Sequence, residues 1–383
     1  MRVALLTYIS KYHNLSLGGA LQAYALQYAI KSILGEHCDI LDYYPSQKLY
    51  KQLLNSLRYK GLGITSEFAS YLIKNIKQHL GFTLRKGVST DYMDYIEKER
   101  AKNIQKFKEH YINFTSRTYH SISELKLLDY DIYVVGSDLV WNPRYHSLEA
   151  LNAYLLSFVK RGLKASYGAS IGENIPRWAQ NIFKHHLKEF NFISVREETS
   201  KRVLERLGIN AEIVCDPTLL LDAEEWRKIS RIPKEKIDEP YVLVYNVYKP
   251  SELLRLASQI EHREGLKIVT YFPHSGYYSF YSSGPQEFLW LIDNADYVIT
   301  SSFHGTIFAI IFKKPFYAIN PSPEAPPSRI SDLLEQLELK ERFIYKLKDL
   351  RYFTLDYDID WNAVKKIIRT MRLKSTYFLK KLV

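Results

Sequence analysis

His304 lies in TSSFHGTIF (300–308), where an apolar strand-like run gives way to a helical pattern. Ligands of open parallel sheets gather at the carboxyl ends of the strands. A helix that starts there also offers free backbone N–H groups and a positive dipole end to a phosphate. The small neighbours Ser301, Ser302 and Gly305 would let such a ligand reach the backbone. A histidine at this kind of turn also serves as a helix cap or core filler, so residue type alone leaves both roles open. Arg196 closes FISVRE (192–197), where apolar residues end abruptly in Arg196-Glu197-Glu198. It could grip an anion, or it could be a solvated strand end in a local ion pair.

VVGSDLVWNP (134–143) combines a strand, a glycine turn, Asp138, Trp141 and Asn142. An aspartate beside an exposed tryptophan suits sugar hydroxyls and a sugar ring face; an aspartate that merely caps a helix is the plainer account. Gly18-Gly19 open the first helix in LGGALQAYALQ (17–27) and could form an anion or sugar loop. Asp216 in CDPTLLL (215–221) reads equally as a turn-forming Asp-Pro and as an inter-domain residue. No His, Cys, Asp and Glu set has metal-ligand spacing, and the adjacent His185 and His186 would face different sides of a helix. Neither a P-loop nor a G-x-S-x-G elbow occurs.

Those residues need a scaffold, and the strand and helix signals alternate along the chain. VALLTY (3–8), a helix over 20–34 that puts Leu21, Ala25 and Tyr28 on one face, and CDILDYY (38–44) make a βαβ start, which predicts a parallel sheet. Alternation resumes at 131–138, 164–172, 192–197, 200–208 and 211–221. Between them, about 46–125 reads as a basic helical insertion. The charged stretch 222–240, with Pro233 and Pro240, is the linker candidate. A second alternating set follows, with strands at 241–247, 266–272, 297–302 and 316–319 and helices at 251–264, 285–294, 304–312 and 328–339. The expected architecture is α/β: an N-terminal Rossmann-like domain over 1–225 and a second over 240–345, facing each other across a cleft, with a basic helical tail over 346–383.

Composition narrows the partners. The 383 residues carry a formal net charge of +11, which favours anionic ligands: phosphorylated substrates, nucleic acid or an anionic membrane surface. No basic recognition helix with interleaved aromatics stands out, so nucleic acid is not expected. The 31 tyrosines would suit sugar binding if clustered on the surface, although tyrosine also fills half-buried sheet faces. Two cysteines, Cys38 and Cys215, predict no disulfide framework and a reducing compartment. The start MRVALLTYIS does not read as a secretory leader, and no apolar run reaches the roughly 20 residues of a membrane span. A cytoplasmic protein, at most peripheral to the inner face of the cell membrane, is expected. After Trp361 the chain is basic and carries apolar residues at helical spacing, a pattern open to an anionic surface or to docking on the first domain.

In order, GGALQAYALQ, YDIYVVGSDLVWNP, KASYGASIG, FISVREETSKRVLERLG, CDPTLLLDAEEW and NADYVITSSFHGTIFAIIFKKPF resemble the polysaccharide pyruvyl transferase family. The resemblance runs from residue 3 to about 340 and skips 46–125. It implies the B-type glycosyltransferase arrangement of two Rossmann-like domains, with phosphoenolpyruvate in the cleft. It further implies that Arg196 and His304 hold the donor; the reaction also needs a group at the acceptor hydroxyl, and Asp138 is the residue expected there. The substrate contacts expected around them are Gly18, Gly19, Ser170, Trp141, Asn142, Ser301, Ser302, Gly305, Thr306 and Arg329. Some members carry an arginine two residues before the histidine; here that position is Ser302, so either Arg329 or Lys313 would supply the charge or this branch holds the phosphate differently.

The implied reaction forms a cyclic pyruvate ketal on two hydroxyls of a sugar in a capsular or other cell-surface polysaccharide, or in its lipid-linked precursor. It needs neither a metal nor a cofactor, phosphoenolpyruvate being a substrate. The alternative is a B-type glycosyltransferase that uses a nucleotide sugar, with Glu324 and Asp332 as its acidic pair.

Overall fold

The computed structural model describes residues 1–13, 16–45, 91–172, 174–234, 237–245, 251–272, 277–320, 329–345 and 358–383. Continuous apolar runs form strands buried on both faces, as parallel sheets require. Arg2–Leu6 (β1), His37–Ile40 (β2), Ile132–Val135 (β3) and Leu163–Ser166 (β4) pair in parallel in the order β2-β1-β3-β4. Ser194–Val195 (β5) and Glu212–Ile213 (β6) pair with each other. Parallel bridges from Ala165 to Phe192 and from Ala169 to Val195 join that pair to the edge of the first sheet.

The second sheet is built from Tyr241–Tyr245 (β7), Lys267–Thr270 (β8), Tyr278–Ser279 (β9), Tyr297–Thr300 (β10), Phe316–Ile319 (β11) and Phe343–Ile344 (β12). Among the described residues its order is β12-β11-β10-β7-β8-β9, parallel throughout. The class is α/β with two Rossmann-like sheets, as the alternation of signals predicts. Strand order reverses between β1 and β3 in one sheet and between β7 and β10 in the other. Such switch points open the crevices in which doubly wound sheets bind ligands.

Helix Leu17–Leu34 starts where the Ser16 side chain accepts from the Gly19 N–H and stops at Gly35, whose φ of 67° suits a residue without Cβ. Leu21 and Ala25 are fully buried but Tyr28 is 39% exposed. The helix is covered on nearly every side, so its buried surface is not the single stripe that the sequence pattern suggested.

Two other expectations change. The linker candidate contains the helix Ala223–Ile229, closed by a capping box between Asp222 and Glu225. Its Trp226 is fully buried between Tyr24 and Phe308, with ring centroids 5.8 and 5.0 Å away. Through it the two halves share one continuous apolar core. Within the expected insertion, residues 46–90 lie outside the described residues, and Asp91–Tyr111 is a helix that braces both halves. Lys108 donates to the Ser10 and His13 carbonyls at 2.9 and 2.7 Å, and Asn103 donates to the Ser282 carbonyl at 2.8 Å.

The tail helix Trp361–Lys380 docks on the first half. It buries Val364, Ile368, Phe378 and Leu379, and the Ser375 hydroxyl accepts from the Cys215 N–H at 2.8 Å. Two of its basic residues are engaged there: Arg372 donates to the Leu219 and Leu221 carbonyls, and Lys381 pairs with Glu212 at 2.8 Å.

Candidate active site

The carboxyl end of the first sheet carries a buried charged cluster. After β3 the chain turns through Gly136, where a Cβ would lie 2.1 Å from the Tyr167 carbonyl oxygen. It then reaches Asp138 at φ 71°, ψ −170°. That region is nearly closed to side-chain-bearing residues and costs about 1–3 kcal/mol, strain that usually accompanies a functional position. Asp138 Oδ1 accepts from Arg196 Nη2 at 3.1 Å and from Arg329 Nη1 at 2.9 Å. Arg196 follows β5 and donates through Nη1 to Asp216 at 2.7 Å and through Nε to Glu197 at 3.3 Å. Its guanidinium also lies over the Phe303 ring, 4.4 Å from the centroid.

Each remaining carboxylate is anchored again. Glu197 accepts from the Ser170 hydroxyl at 2.6 Å and from the Ser200 hydroxyl. Asp216 accepts from the Thr218 N–H and hydroxyl at 3.0 and 2.6 Å. Burial alone would raise the Asp138 carboxyl, but the Arg196 and Arg329 guanidiniums together hold it well below the usual carboxylate range. Burial would likewise lower Arg196, and the Asp138, Asp216 and Glu197 charges reverse that and raise it. Three carboxylates against two guanidiniums leave one net negative charge, preorganised and, around Arg196, almost fully removed from water.

The second half contributes a different kind of surface. Ser302 caps the helix Phe303–Ile311, its hydroxyl accepting from the Gly305 N–H at 3.3 Å. The first turn of that helix therefore sits beside the end of β10, with its backbone donors at the switch point. His304 is 8% exposed, and its Nε2 has no hydrogen-bond partner among the described residues. Burial, with smaller opposing contributions from Asp216 and Asp138, lowers its pKa below the usual imidazole value and favours the neutral ring. The ring lies against Gly18: a Cβ there would be 2.2 Å from Nδ1. The requirement for glycine at position 18 is thus explained by the histidine that it accommodates.

The halves meet at this point. Besides the Arg196–Phe303 stack and the Arg329–Asp138 pair, Thr199 donates to Asp332 through its N–H at 3.1 Å and its hydroxyl at 2.6 Å. Of the acidic pair weighed above, Asp332 caps a helix of the other half, and Glu324 lies outside the described residues.

Asp138, Arg196, Arg329, His304 and Gly18 converge, and Ser170 reaches the cluster through Glu197. Other expected contacts do not face it. Trp141 is not exposed: it is fully buried and donates from Nε1 to the Tyr154 carbonyl at 2.9 Å, so it offers no ring face to a sugar. Asn142 closes a turn by accepting from the Arg144 N–H at 2.9 Å. Gly19 donates its N–H to the Ser16 cap at 3.1 Å. Gly305 is small for packing and not for ligand approach, because a Cβ would lie 2.4 Å from Thr300 Oγ1 and 2.8 Å from Tyr245. Thr306 donates to the Ser302 carbonyl at 3.0 Å inside the helix, and the Ser301 N–H bonds the Tyr245 carbonyl. Lys313 follows the far end of that helix, so of the two candidate replacement cations only Arg329 is at the site. Arg196-Glu197 is no solvated strand end, since both side chains are buried. Phe303, which the sequence did not single out, supplies the ring under both guanidiniums, 5.2 Å from that of Arg329; its one signal was its place between Ser302 and His304.

The sequence model of polysaccharide pyruvyl transferases matches residues 17–323. No curated protein matches in sequence. Solved structures that superpose over most of the chain include the UDP-GlcNAc 2-epimerase of Methanocaldococcus jannaschii, 13% identical, covering 97% of this chain and 99% of that one at a TM-score of 0.46. The UDP-GlcNAc 2-epimerase of Neisseria meningitidis is 11% identical, with coverages of 98% and 100% and a TM-score of 0.43. A glycosyltransferase from Rickettsia africae is 11% identical, with coverages of 100% and 98% and a TM-score of 0.45. The fold assignment rests on the strand order itself.

Proposed function

The chain belongs to the polysaccharide pyruvyl transferase family, and on that premise we propose that it moves pyruvate from phosphoenolpyruvate onto two hydroxyls of one sugar in a cell-surface polysaccharide or its lipid-linked precursor. The observation that carries this reading is the buried His304 Nε2, without a partner among the described residues, at a helix start beside a charged cluster from the other half. A small dianionic or trianionic donor needs cationic and N–H donors that are already in place. The first turn of Phe303–Ile311, His304 and Arg329 provide them, Arg329 being the less enclosed guanidinium with 26% of its side chain exposed. Arg196, with all three nitrogens on carboxylates, acts as the positioning residue that fixes Asp138.

In the proposed sequence the methylene carbon of phosphoenolpyruvate gains a proton and C2 becomes oxocarbenium-like. One sugar hydroxyl adds to C2, the C2–O bond to phosphate breaks, and the second hydroxyl closes the ketal. One hydroxyl proton ends on the new methyl group and the other on the released phosphate. Asp138, held far below the usual carboxylate range, is a weak base and orients a hydroxyl by accepting its hydrogen bond. A neutral His304 can take up and release the first proton.

Incubation with phosphoenolpyruvate and a panel of lipid-linked and model glycosides tests the reading by mass spectrometry. The expected product carries one carboxyethylidene group for each phosphate released. Transfer from a uridine diphosphate sugar, with none from phosphoenolpyruvate, would overturn it in favour of a glycosyltransferase.

No helix among the described residues is long and apolar enough to cross a membrane. We infer that the solvent side of the tail helix attaches the protein to an anionic surface: Lys366, Arg369, Lys374 and Lys380 are exposed there beside Leu373 and Tyr377, which are 64% and 66% exposed. Sedimentation with phosphatidylserine vesicles should exceed that with phosphatidylcholine and fall on Lys366→Glu with Arg369→Glu. Equal sedimentation with both lipids rules out the attachment.

A further inference from the structure

With Trp141 in the core, the ring face for a sugar has to come from elsewhere. Tyr8 follows β1 and Tyr145 follows the Leu139–Trp141 turn, so both stand at the carboxyl edge of the first sheet, near its switch point. They are 38% and 55% exposed, in a protein that buries most of its large apolar side chains among the described residues. Tyr8 is held by His146, whose ring meets it edge-on with centroids 5.0 Å apart. His146 is itself fixed, donating from Nε2 to the Leu139 carbonyl at 2.7 Å and resting on Tyr154 at 4.7 Å. The Tyr8 phenol lies within electrostatic reach of the Asp138 carboxylate and of Tyr145, and Tyr145 lies within reach of the Arg329 guanidinium. Both rings therefore stand on the sheet edge that carries the charged cluster. Tyr12, four residues after Tyr8, is 60% exposed, with Lys11 Nζ 5.4 Å from its ring centroid.

A pyranose presents an apolar C–H face and an edge of hydroxyls. The negative face of a phenol ring attracts the first, and a carboxylate beside a guanidinium bonds the second. Tyrosine suits this task because it gives a large, stiff surface at low entropic cost and keeps a polar tip for water. We propose that Tyr8 and Tyr145 are the ring-stacking walls of the acceptor-sugar subsite and present the sugar hydroxyls to Asp138. This rests on the sugar-acceptor part of the proposed function and assigns the surface that selects the acceptor.

The test uses the full chain and the variants Tyr8→Leu, Tyr145→Leu, Tyr8→Phe and Tyr145→Phe, each checked by thermal melting. Saturation-transfer NMR is run with methyl β-D-galactopyranoside, methyl β-D-glucopyranoside and methyl N-acetyl-β-D-mannosaminide, and separately with uridine diphosphate. Ring-proton saturation of at least one glycoside is expected in the unaltered protein, retained in the Phe variants and lost in the Leu variants. For an acceptor that turns over, each Leu variant should raise acceptor KM by about tenfold and leave the phosphoenolpyruvate KM unchanged. Absence of saturation for all three glycosides, survival of the signal in both Leu variants, or uridine diphosphate as the ligand that the Leu variants lose would overturn the proposal. The two readings fail separately. Glycoside binding that needs the tyrosines, with transfer from a nucleotide sugar, keeps the platform and removes pyruvyl transfer. Pyruvyl transfer with an unchanged acceptor KM does the reverse.

Discussion

The carboxyl ends of the two sheets meet at one place but are built on opposite principles. On the first sheet, Asp138, Glu197 and Asp216 are satisfied by Arg196, Arg329 and neighbouring hydroxyls before any ligand arrives. On the second, the His304 imidazole is just as buried but its Nε2 bonds nothing among the described residues. A buried polar atom left unpaired costs about 1–3 kcal/mol, and in the proposed function the donor offsets that cost at His304. One edge is a finished frame and the other is the gap that it frames. Mutations should accordingly damage the first edge through stability and the second through chemistry.

Arg196→Ala should give the largest effect. It leaves Glu197 and Asp216 without a counter-charge, and Asp138 with Arg329 alone, in a space almost closed to water; breaking a buried ion network in this way costs about 3–5 kcal/mol. The sequence left Arg196 open to a solvated strand end, where such a change is mild; the 1% exposure of its side chain excludes that. Urea unfolding should show the loss, with Arg196→Lys recovering part of it because the charge remains but the planar fork does not. An unchanged midpoint for Arg196→Ala would abolish the contrast between the edges.

His304→Asn should do the reverse. Its unfolding midpoint should stay close to that of the unaltered protein, while pyruvyl transfer falls by at least about 10²-fold, as for a lost proton carrier. Wild-type turnover by the folded variant would take His304 out of the chemistry.

Gly18→Ala should fall between the two, because a Cβ 2.2 Å from Nδ1 must push the imidazole aside. Overpacking of this kind costs about 1–3 kcal/mol, and transfer should drop more than stability does. Activity that follows stability alone would show that ring placement is not critical.

The smallest effect is that of pH. His304 stays neutral in the fold because burial lowers its pKa, so below the ordinary value of 6.5 the unfolded chain takes up a proton that the folded one refuses. Stability should therefore fall as pH drops below 6.5. His146 and His186, both pulled down to about 4 chiefly by burial, act with the same sign over that window. Urea midpoints across the window should slope less steeply in His304→Asn, and an identical slope would mean that His304 titrates normally in the fold.

Much of the scaffold was legible because it follows from near neighbours. Apolar runs of four or five residues such as IYVV and YVIT fixed the strands, and the first helix ends at Leu34 as read, although it starts at Leu17 and not at 20. Where a short segment owed its state to distant packing, reading failed: Trp226 turned an apparent linker into part of the core, and the ring of Trp141 pointed inward. The strand-to-helix turns that carry Asp138, Arg196 and His304 were visible for the same local reason. What the sequence by itself determined is therefore the α/β class, the order of its elements, the family, and the fact that several polar residues end strands. Their partnerships were beyond it. The Arg329–Asp138 bond spans 191 residues and the Arg196–Asp138 bond spans 58, and no periodicity connects positions so far apart. Only the tertiary structure decided that Arg196 is locked in place, that Gly18 makes room for His304, and that the buried His304 Nε2 finds no partner among the described residues. Burial and pairing depend on which surfaces the folded chain brings together, and local propensity does not record that.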